Sequence, residues 1–402
     1  MNRKVVIESL VKRYAREAGF DLVGIASAQE FAEDRAIALE RLRAGLMKGL
    51  PWYQEARVRR GTRPQELLPG ARSIICLGLN YYQPEDADQS PHPPFAKGGL
   101  KGIPKRGSGD IPLRGKVARY AWGQDYHHVM KQRMRAYVAV LSERLDTPIA
   151  ARWYVDDGPM LDRAAASRAG LGWFGKNTNI LTPSLGSWVF LGQVITDLEL
   201  EPDPPLVKTC GSCVRCIEAC PTGAIVAPYV IDNTRCISYL TIENRGPIPR
   251  KLRPLMLDWV FGCDICQDVC PVNRKARPAA EPAFQKGGMN LLDLVELLEL
   301  SEEEFRRRFQ GSPILRAKRA GLQRNACVAL GNRRDPVAVP ALCRALANGE
   351  PLVRGHAAWA LGQIGGAKAR SALEQAALEE PDSQALAEIG AALEQLQATT
   401  TL

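Results

Sequence analysis

The residues of this chain best suited to chemistry are its cysteines. The sequence holds eleven, and eight of them fall between residues 210 and 270. The first run reads Cys210-x2-Cys213-x2-Cys216-x3-Cys220-Pro221. Three closely spaced thiolates can wrap one iron–sulfur cube, and in two-cluster ferredoxins the fourth, followed by proline, ligates the other cluster. The second run reads Cys263-x2-Cys266-x3-Cys270-Pro271, with its first member displaced upstream to Cys236. By that crossing rule Cys210, Cys213, Cys216 and Cys270 hold one [4Fe–4S] cluster, and Cys236, Cys263, Cys266 and Cys220 hold the other. Four-cysteine zinc sites also use C-x2-C pairs, but a third closely spaced cysteine and then Cys-Pro, twice over, speaks against zinc. Cys76, Cys327 and Cys343 stand in apolar strand-like or helical patterns and are expected in the core. Two clusters make a wire for single electrons and leave its terminus open. No G-x-G-x-x-G follows a strand, so a Rossmann nucleotide site is unsupported, and no C-x3-C-x2-C points to radical S-adenosylmethionine chemistry.

A second stretch able to do chemistry runs from Tyr154 to Leu181, YVDDGPMLDRAAASRAGLGWFGKNTNIL. Asp156 and Asp157 fall where a strand is expected to end and a helix to begin, with Pro159 suited to the first helical turn. Helix capping would account for one aspartate, and Asp157 better than both. That leaves Asp156, at the strand end, free to face a pocket. Gly170, Gly172 and Gly175 permit tight turns or the close approach of a large ligand, and Lys176 and Asn177 add donors. Histidine is scarce, at four residues. Asp125-Tyr126-His127 begins like the D-x-H-x-x-G signature that supplies a cobalamin's lower ligand, but position 130 is Met. A corrinoid bound here would therefore lack a histidine on cobalt.

These groups need a scaffold. Val6, Ile7, Leu10, Val11 and Tyr14 recur at helical spacing and open the chain with an amphipathic helix. Leu22 to Ala26 and Ser73 to Asn80 read as short buried strands. Pro84 to Gly115, dense in Pro, Gly and Lys, reads as a long functional loop. A helix is expected from Asp125 to Leu145, a strand from Ile149 to Val155, and another from Trp188 to Ile195. This is no regular βαβ alternation, so residues 1–200 are expected to form an α+β domain. The proline-rich EPDPPL at Glu201 to Leu206 marks a boundary before a ferredoxin-like domain over 201–285. Residues 286–402 read as all-α. Ala329-Leu330-Gly331 recurs as Ala360-Leu361-Gly362, with a weaker copy at Ala392-Leu393, a period of 31 or 32 residues. That spacing suits stacked helix pairs of the HEAT type.

Across 402 residues the formal net charge is +9, which admits a polyanionic partner. Arg57, Arg59, Arg60 and Arg63 cluster, as do Lys97, Lys101, Lys105, Arg106, Arg114, Lys116 and Arg119. A third group holds Arg306, Arg307, Arg308, Arg316, Lys318, Arg319 and Arg324. The charged N-terminus is no secretory signal, and no apolar run has bilayer-spanning length. A soluble, cytoplasmic protein with no membrane partner is expected, and cysteine-rich chains in that reducing compartment bind metal.

Together, RYAWGQDYHHV (Arg119 to Val129), YVDDGP with AGLGWFGKN (Tyr154 to Asn177), GSWVFLGQVITDLEL (Gly186 to Leu200) and the two cysteine runs resemble the epoxyqueuosine reductases of tRNA queuosine synthesis. The likeness covers about residues 1 to 300. It implies a flavin-reductase-like cobalamin domain, a base-off cobalamin and two [4Fe–4S] clusters, as in the similar reductive dehalogenases. It implies reduction of an epoxide on the wobble nucleoside of a tRNA anticodon stem-loop, by cob(I)alamin fed from the clusters. The ring becomes a cyclopentene and water leaves. The family's V-D-x-G-P acid maps onto Asp156, while Asp157, where many members carry a small polar residue, leaves the assignment open by one position. Cofactor contacts are assigned to Asn80, Arg119, Tyr120, Asp125, His127, Asp156, Lys176 and Asn177. A monomer served by a low-potential electron donor completes the expectation. Two other classes remain: a ferredoxin-like carrier without substrate, and a dehalogenase of small molecules.

Overall fold

The computed structural model describes residues 3–84, 113–285 and 287–400. Most of the long loop expected from Pro84 to Gly115, with Lys97, Lys101, Lys105 and Arg106, lies outside them. The chain forms two compact units, each gathered from separate segments.

The first unit comprises residues 1–84, 123–234 and 265–285. Its centre is a four-stranded antiparallel sheet in the order Leu22–Ser27, Ser73–Asn80, Val189–Thr196, Ala151–Tyr154. The strand Ser73–Asn80 is buried throughout, which explains why it reads as an unbroken apolar run instead of an alternating one. Helices Arg3–Glu17 and Tyr126–Arg144 pack together on the sheet, as does the short helix Asp162–Arg168. Ala164, Ala165 and Ala166 of that short helix are buried against Ile74, Cys76 and Ile195. Small side chains let it lie close, and a Cβ on Gly24 would meet the carbonyl of Ala169 at 2.2 Å. Each large apolar side chain enclosed in this way contributes about 1.5–3 kcal/mol.

The helix expected right after Pro159 begins only at Asp162, with Leu161 as its N-cap residue. Pro159 therefore sits outside the first turn, and neither Asp156 nor Asp157 caps. Residues 155–161 instead form an irregular loop pinned by the neighbouring helix Glu55–Gly61. Arg57 donates to the carbonyl of Gly158. A Cβ at Gly61 would fall 1.7 Å from the carbonyl oxygen of Pro159.

The second unit comprises residues 85–122, 235–264 and 286–402. A three-stranded sheet orders Trp259–Phe261, Arg114–Val117 and Leu291–Asp293. Beyond it the paired helices appear as expected: Arg319–Arg333, Val339–Asn348, Pro351–Ile364, Ala367–Glu379 and Ser383–Thr400. The Ala-Leu-Gly repeat has a packing cause. A Cβ on Gly331 would come within 3.0 Å of the Ala360 Cα, and one on Gly362 within 3.1 Å of the Ala392 Cα. Each repeat glycine thus faces the next helix's backbone, and a larger residue would part the stack.

Buried polar groups tie the repeats to residues 235–264. Arg324 is fully buried and donates to the carbonyls of Leu240, Asn244 and Gly246 at 2.7–2.8 Å. Arg253, also buried, grips Glu388 through two bonds of 2.7 and 2.8 Å. His356 accepts the Ile248 N–H at Nε2 and bonds the Leu352 carbonyl through Nδ1. Burial, followed by the charges of Arg253 and Arg324, holds this imidazole well below its usual value.

Two tests follow from these contacts. Gly61→Ala should cost about 1–3 kcal/mol, because backbone must move to admit the methyl. Gly390→Ala, in open space within Ser383–Thr400, should stabilise by roughly 0.5–1 kcal/mol. Thermal unfolding of both variants checks the contrast, and equal midpoints would refute it. The second test concerns pH. In the unfolded chain His356 titrates near about 6.5, whereas in the fold it stays neutral. The unfolded state therefore binds the extra proton, so its contribution to stability is whole above that pH and is lost as pH falls below it. Exchange protection of the Ile248 amide, corrected for intrinsic rates, should drop between about pH 7.5 and about pH 5.5. His356→Gln should remove the dependence, and parent protection that ignores pH would overturn it.

Candidate active site

The strand Ala151–Tyr154 runs into Val155, which is fully buried, and the chain then turns at Asp156 with φ +54°. That left-handed conformation is uncommon outside glycine, and aspartate tolerates it better than most residues. The turn separates the two aspartates. Asp157 accepts the Val155 N–H at 3.0 Å and pairs with Lys131 of the helix Tyr126–Arg144. Burial pushes the Asp157 carboxyl up, but the Lys131 and Val155 hydrogen bonds outweigh it and hold the group below its usual value. Asp156 is exposed, and its Oδ2 accepts the Tyr126 hydroxyl at 2.7 Å.

Tyr126 is itself fixed by packing. Its ring stacks on Phe190 at 4.2 Å with an interplanar angle of 4°, and Phe190 meets Phe284 and Tyr81. Asp125 caps the helix through the His127 N–H and also holds His127 Nδ1 at 2.7 Å. Met130, where the cobalamin signature has glycine, is a fully buried core residue.

Two polar residues that the sequence reading passed over lie nearby. Asp162, five residues beyond Asp157, has a buried Oδ1 with no hydrogen-bond partner among the described residues. Burial, and next the charge of Asp156, holds this carboxyl well above its usual value. Gln193 is the lone amide in the apolar strand VFLGQVIT. It is fully buried and finds no hydrogen-bond partner for either amide atom among the described residues. The register sets it opposite Cys76 on one side and Tyr154 on the other. A polar residue inside an apolar strand was the available signal.

Cys210, Cys213, Cys216 and Cys270 line one cavity together with Lys176, Asn177 and Arg215. The Cys216 thiol is pushed up to about 11 by burial and then by Cys210 and Cys270. Burial likewise raises Cys270, with Cys210 and Cys213 adding to it. Crowded thiols of this kind ionise when a metal centre takes up their charge. Lys176 donates to the Gly211 carbonyl at 2.7 Å and so fixes the first cysteine turn, where Gly211 has φ +52°. Asn177 Oδ1 accepts the Asn179 N–H. Cys220 accepts the Ala224 N–H at 3.3 Å. Cys266 is half-buried in the same unit, and Cys236 and Cys263, also half-buried, belong to the second unit. Cys76 and Cys327 are buried as expected, with their thiols raised by burial.

The other nominated residues are engaged as well. Asn80 is buried, donates to the Arg277 carbonyl at 2.9 Å and accepts the Tyr82 N–H. In the second unit Arg119 is buried and paired with Asp264 at 3.2 Å, and Tyr120 packs on Phe261. The arginine clusters are partly neutralised. Arg59 pairs with Glu55, Arg63 with Glu30 and Glu66, Arg306 with Glu302, and Arg308 with Glu296. No helix among the described residues is long and apolar enough to cross a membrane.

Known proteins share this arrangement. Residues 209–273 match the 4Fe-4S double cluster binding domain, residues 61–157 the epoxyqueuosine reductase QueG domain, and residues 312–394 HEAT repeats. The chain is 39% identical over 327 residues to epoxyqueuosine reductase of Cellulophaga algicola, covering 81% of this chain and 98% of that one. A crystal structure of epoxyqueuosine reductase with an epoxyqueuosine-modified tRNA-Tyr stem loop aligns at TM-score 0.88 and 32% identity, covering 98% of this chain and all of the other. The Bacillus subtilis epoxyqueuosine reductase, solved with a catalytic aspartate loop swung out of its active site, aligns at TM-score 0.86 and 32% identity over the same shares. With its double-cluster domain, its helical repeats and relatives of this identity over most of its length, the chain belongs to the epoxyqueuosine reductase family of oxidoreductases.

Proposed function

We propose that this protein reduces epoxyqueuosine to queuosine at the wobble position of tRNA, as a cytoplasmic monomer, with Asp156 as the proton donor. The observation that carries the reading is the geometry at Asp156. An exposed carboxyl is held at φ +54° by a buried tyrosine hydroxyl, in the unit that also carries a four-thiol cavity. A plain electron carrier needs no such acid, and a basic chain of net charge +9 suits tRNA better than a small halide.

The residues fit the implied cofactors. Four thiols around one cavity suit a [4Fe–4S] cluster, and the crossing rule gives the second to Cys220, Cys236, Cys263 and Cys266. The unpaired amide of Gln193 and the unpaired Oδ1 of Asp162 are polar demands that an amide-rimmed corrinoid or its ordered water meets. We assign the sheet of the first unit to the flavin-reductase-like kind that would hold such a cofactor in its base-off form, the glycine of the histidine-ligand signature being replaced by Met130. Bound there, the corrinoid supplies the low-potential electron pair.

The chain's own groups do the rest. Reduction of the epoxide to the cyclopentene takes two electrons and two protons and releases one water. Asp156 delivers a proton to the oxygen as the C–O bond breaks, and the Tyr126 hydroxyl holds Oδ2 so that Oδ1 faces the substrate. Asp157 stays a carboxylate against Lys131 and does not compete. The wobble base must leave its stack to reach this turn.

Asp156→Asn should retain clusters and corrinoid while losing at least about 10²-fold in turnover, the usual worth of a placed general acid. Asparagine keeps the left-handed turn, so activity within tenfold of the parent would remove Asp156 from the role. Cysteine substitution tests the crossing. Cys270→Ala should damage the cluster of Cys210, Cys213 and Cys216, and Cys220→Ala should spare it. Electron paramagnetic resonance of the reduced variants separates the two, and the opposite pattern would refute the pairing.

A further inference from the structure

Electrons must enter the protein somewhere, and the two cysteine sets differ in their surroundings. Cys236 and Cys263 are half-buried among closed neighbours: Ile237, Phe261 and Asp264 are all 3% exposed or less. The cavity of Cys210, Cys213, Cys216 and Cys270 has an open rim. Val207 is fully exposed and Val214 is 38% exposed. Lys208, Thr209, Gly211, Ser212 and Arg215 are exposed as well. The turn that follows Cys270, whose Pro271 and Val272 also line the cavity, carries exposed Arg274 and Lys275. Lys208 keeps its ammonium 5.4 Å from the Trp173 ring, against Glu218 as the one exposed acid of the first cysteine run. Exposed apolar side chains and cations together, in the segments that supply this cavity's thiols, match a protein partner with an acidic rim.

We propose that this rim, Val207, Lys208, Val214, Arg215, Arg274 and Lys275, is the docking surface for an acidic, low-potential one-electron carrier protein. The inference rests on the electron-relay reading of the cysteines. In the docked complex the carrier loses one electron and the oxidised cluster gains it, and no bond forms or breaks. A nucleic acid would also seek cations, but it gains nothing from Val207 and Val214 standing exposed among them.

The test uses the cluster-loaded full chain and a reduced flavodoxin as the acidic probe. Stopped-flow bleaching of cluster absorbance gives the bimolecular rate, and titration of the oxidised proteins gives their affinity. Lys208→Glu/Lys275→Glu should lower the rate at least about tenfold at low ionic strength, and flatten its salt dependence, as expected for lost electrostatic steering. Reduction by the methyl viologen radical cation should not slow. Bleaching of the parent by dithionite, with no carrier and no tRNA, establishes the relay itself, so a failure of that reading shows separately. Flavodoxin rate and affinity equal to the parent's would overturn the proposal. So would a variant whose only change is weaker binding of a tRNA stem-loop, which would give the cations to RNA. If viologen reduction slows too, Lys208→Gln and Lys275→Gln decide by the same two rates, and loss of flavodoxin dependence in neither overturns the assignment.

Discussion

The hydrogen bond from the Tyr126 hydroxyl to Asp156 is the interaction on which the chemistry proposed for the first unit depends. It joins two requirements that oppose each other. An acid must stand clear of the protein to reach a substrate, yet a side chain free in solvent has no fixed direction. Here direction is supplied from below. Tyr126 is locked by its stack on Phe190, and Phe190 belongs to the sheet strand Val189–Thr196. Sheet, ring, hydroxyl and carboxyl form one chain of contacts, so the core's rigidity is passed to a residue at the surface. The left-handed turn at Asp156 is strain of the kind that persists where surrounding contacts over-determine it. Gly61 and Arg57 supply those contacts on the far side of the loop.

The second unit solves a different problem. Cys236 is the N-cap residue of the helix Ile237–Ile242, and such a short helix has little stability of its own. Its orphan carbonyls are taken by side chains from the first repeat helix. Arg324 bonds Leu240, and Asn325 bonds Thr241 and Val260. Burial first, and then the charge of Arg245, lower the Arg324 guanidinium to about 9, so it is still charged at neutral pH. Its partners are the carbonyls of Leu240, Asn244 and Gly246, and carbonyl dipoles at the end of a helix favour a cation there. The repeats are therefore a brace for the segment carrying Cys236 and Cys263. The arginines of Glu302–Arg308 agree with that role, since two of the three are spent on neighbouring glutamates.

What the sequence revealed and what it hid divide along physical lines. The strand Ser73–Asn80 was legible to the residue because eight successive buried positions leave no polar interruption. The helix Tyr126–Arg144 was legible because Asp125 caps it. The repeat period was legible because its glycines face backbone. The start of the helix after Asp156 was misplaced: a proline suits a first turn anywhere, and only the tertiary contact of Pro159 with Gly61 forbids one there. Asp156 and Asp157 were ambiguous in sequence because the answer lies with Lys131, 26 residues away. Gln193 and Asp162 were silent because an unpaired atom is a property of register and packing, which no local pattern encodes.

The thiol cavity shows why the clusters and the fold should be considered together. Burial and the neighbouring thiols both raise Cys216, and Cys270 is raised for the same reasons. Four thiolates gathered without metal would repel one another, and the turns that gather them are short. Residues 215–219 make a single helical turn, and 271–275 a single 3-10 turn. Such turns cannot hold repelling charges by themselves. Lys176, bonded to the Gly211 carbonyl, brings a cation to the same wall. It offsets part of that repulsion. The residue that fixes the first turn is therefore also the one placed to tune the charge of the centre built there.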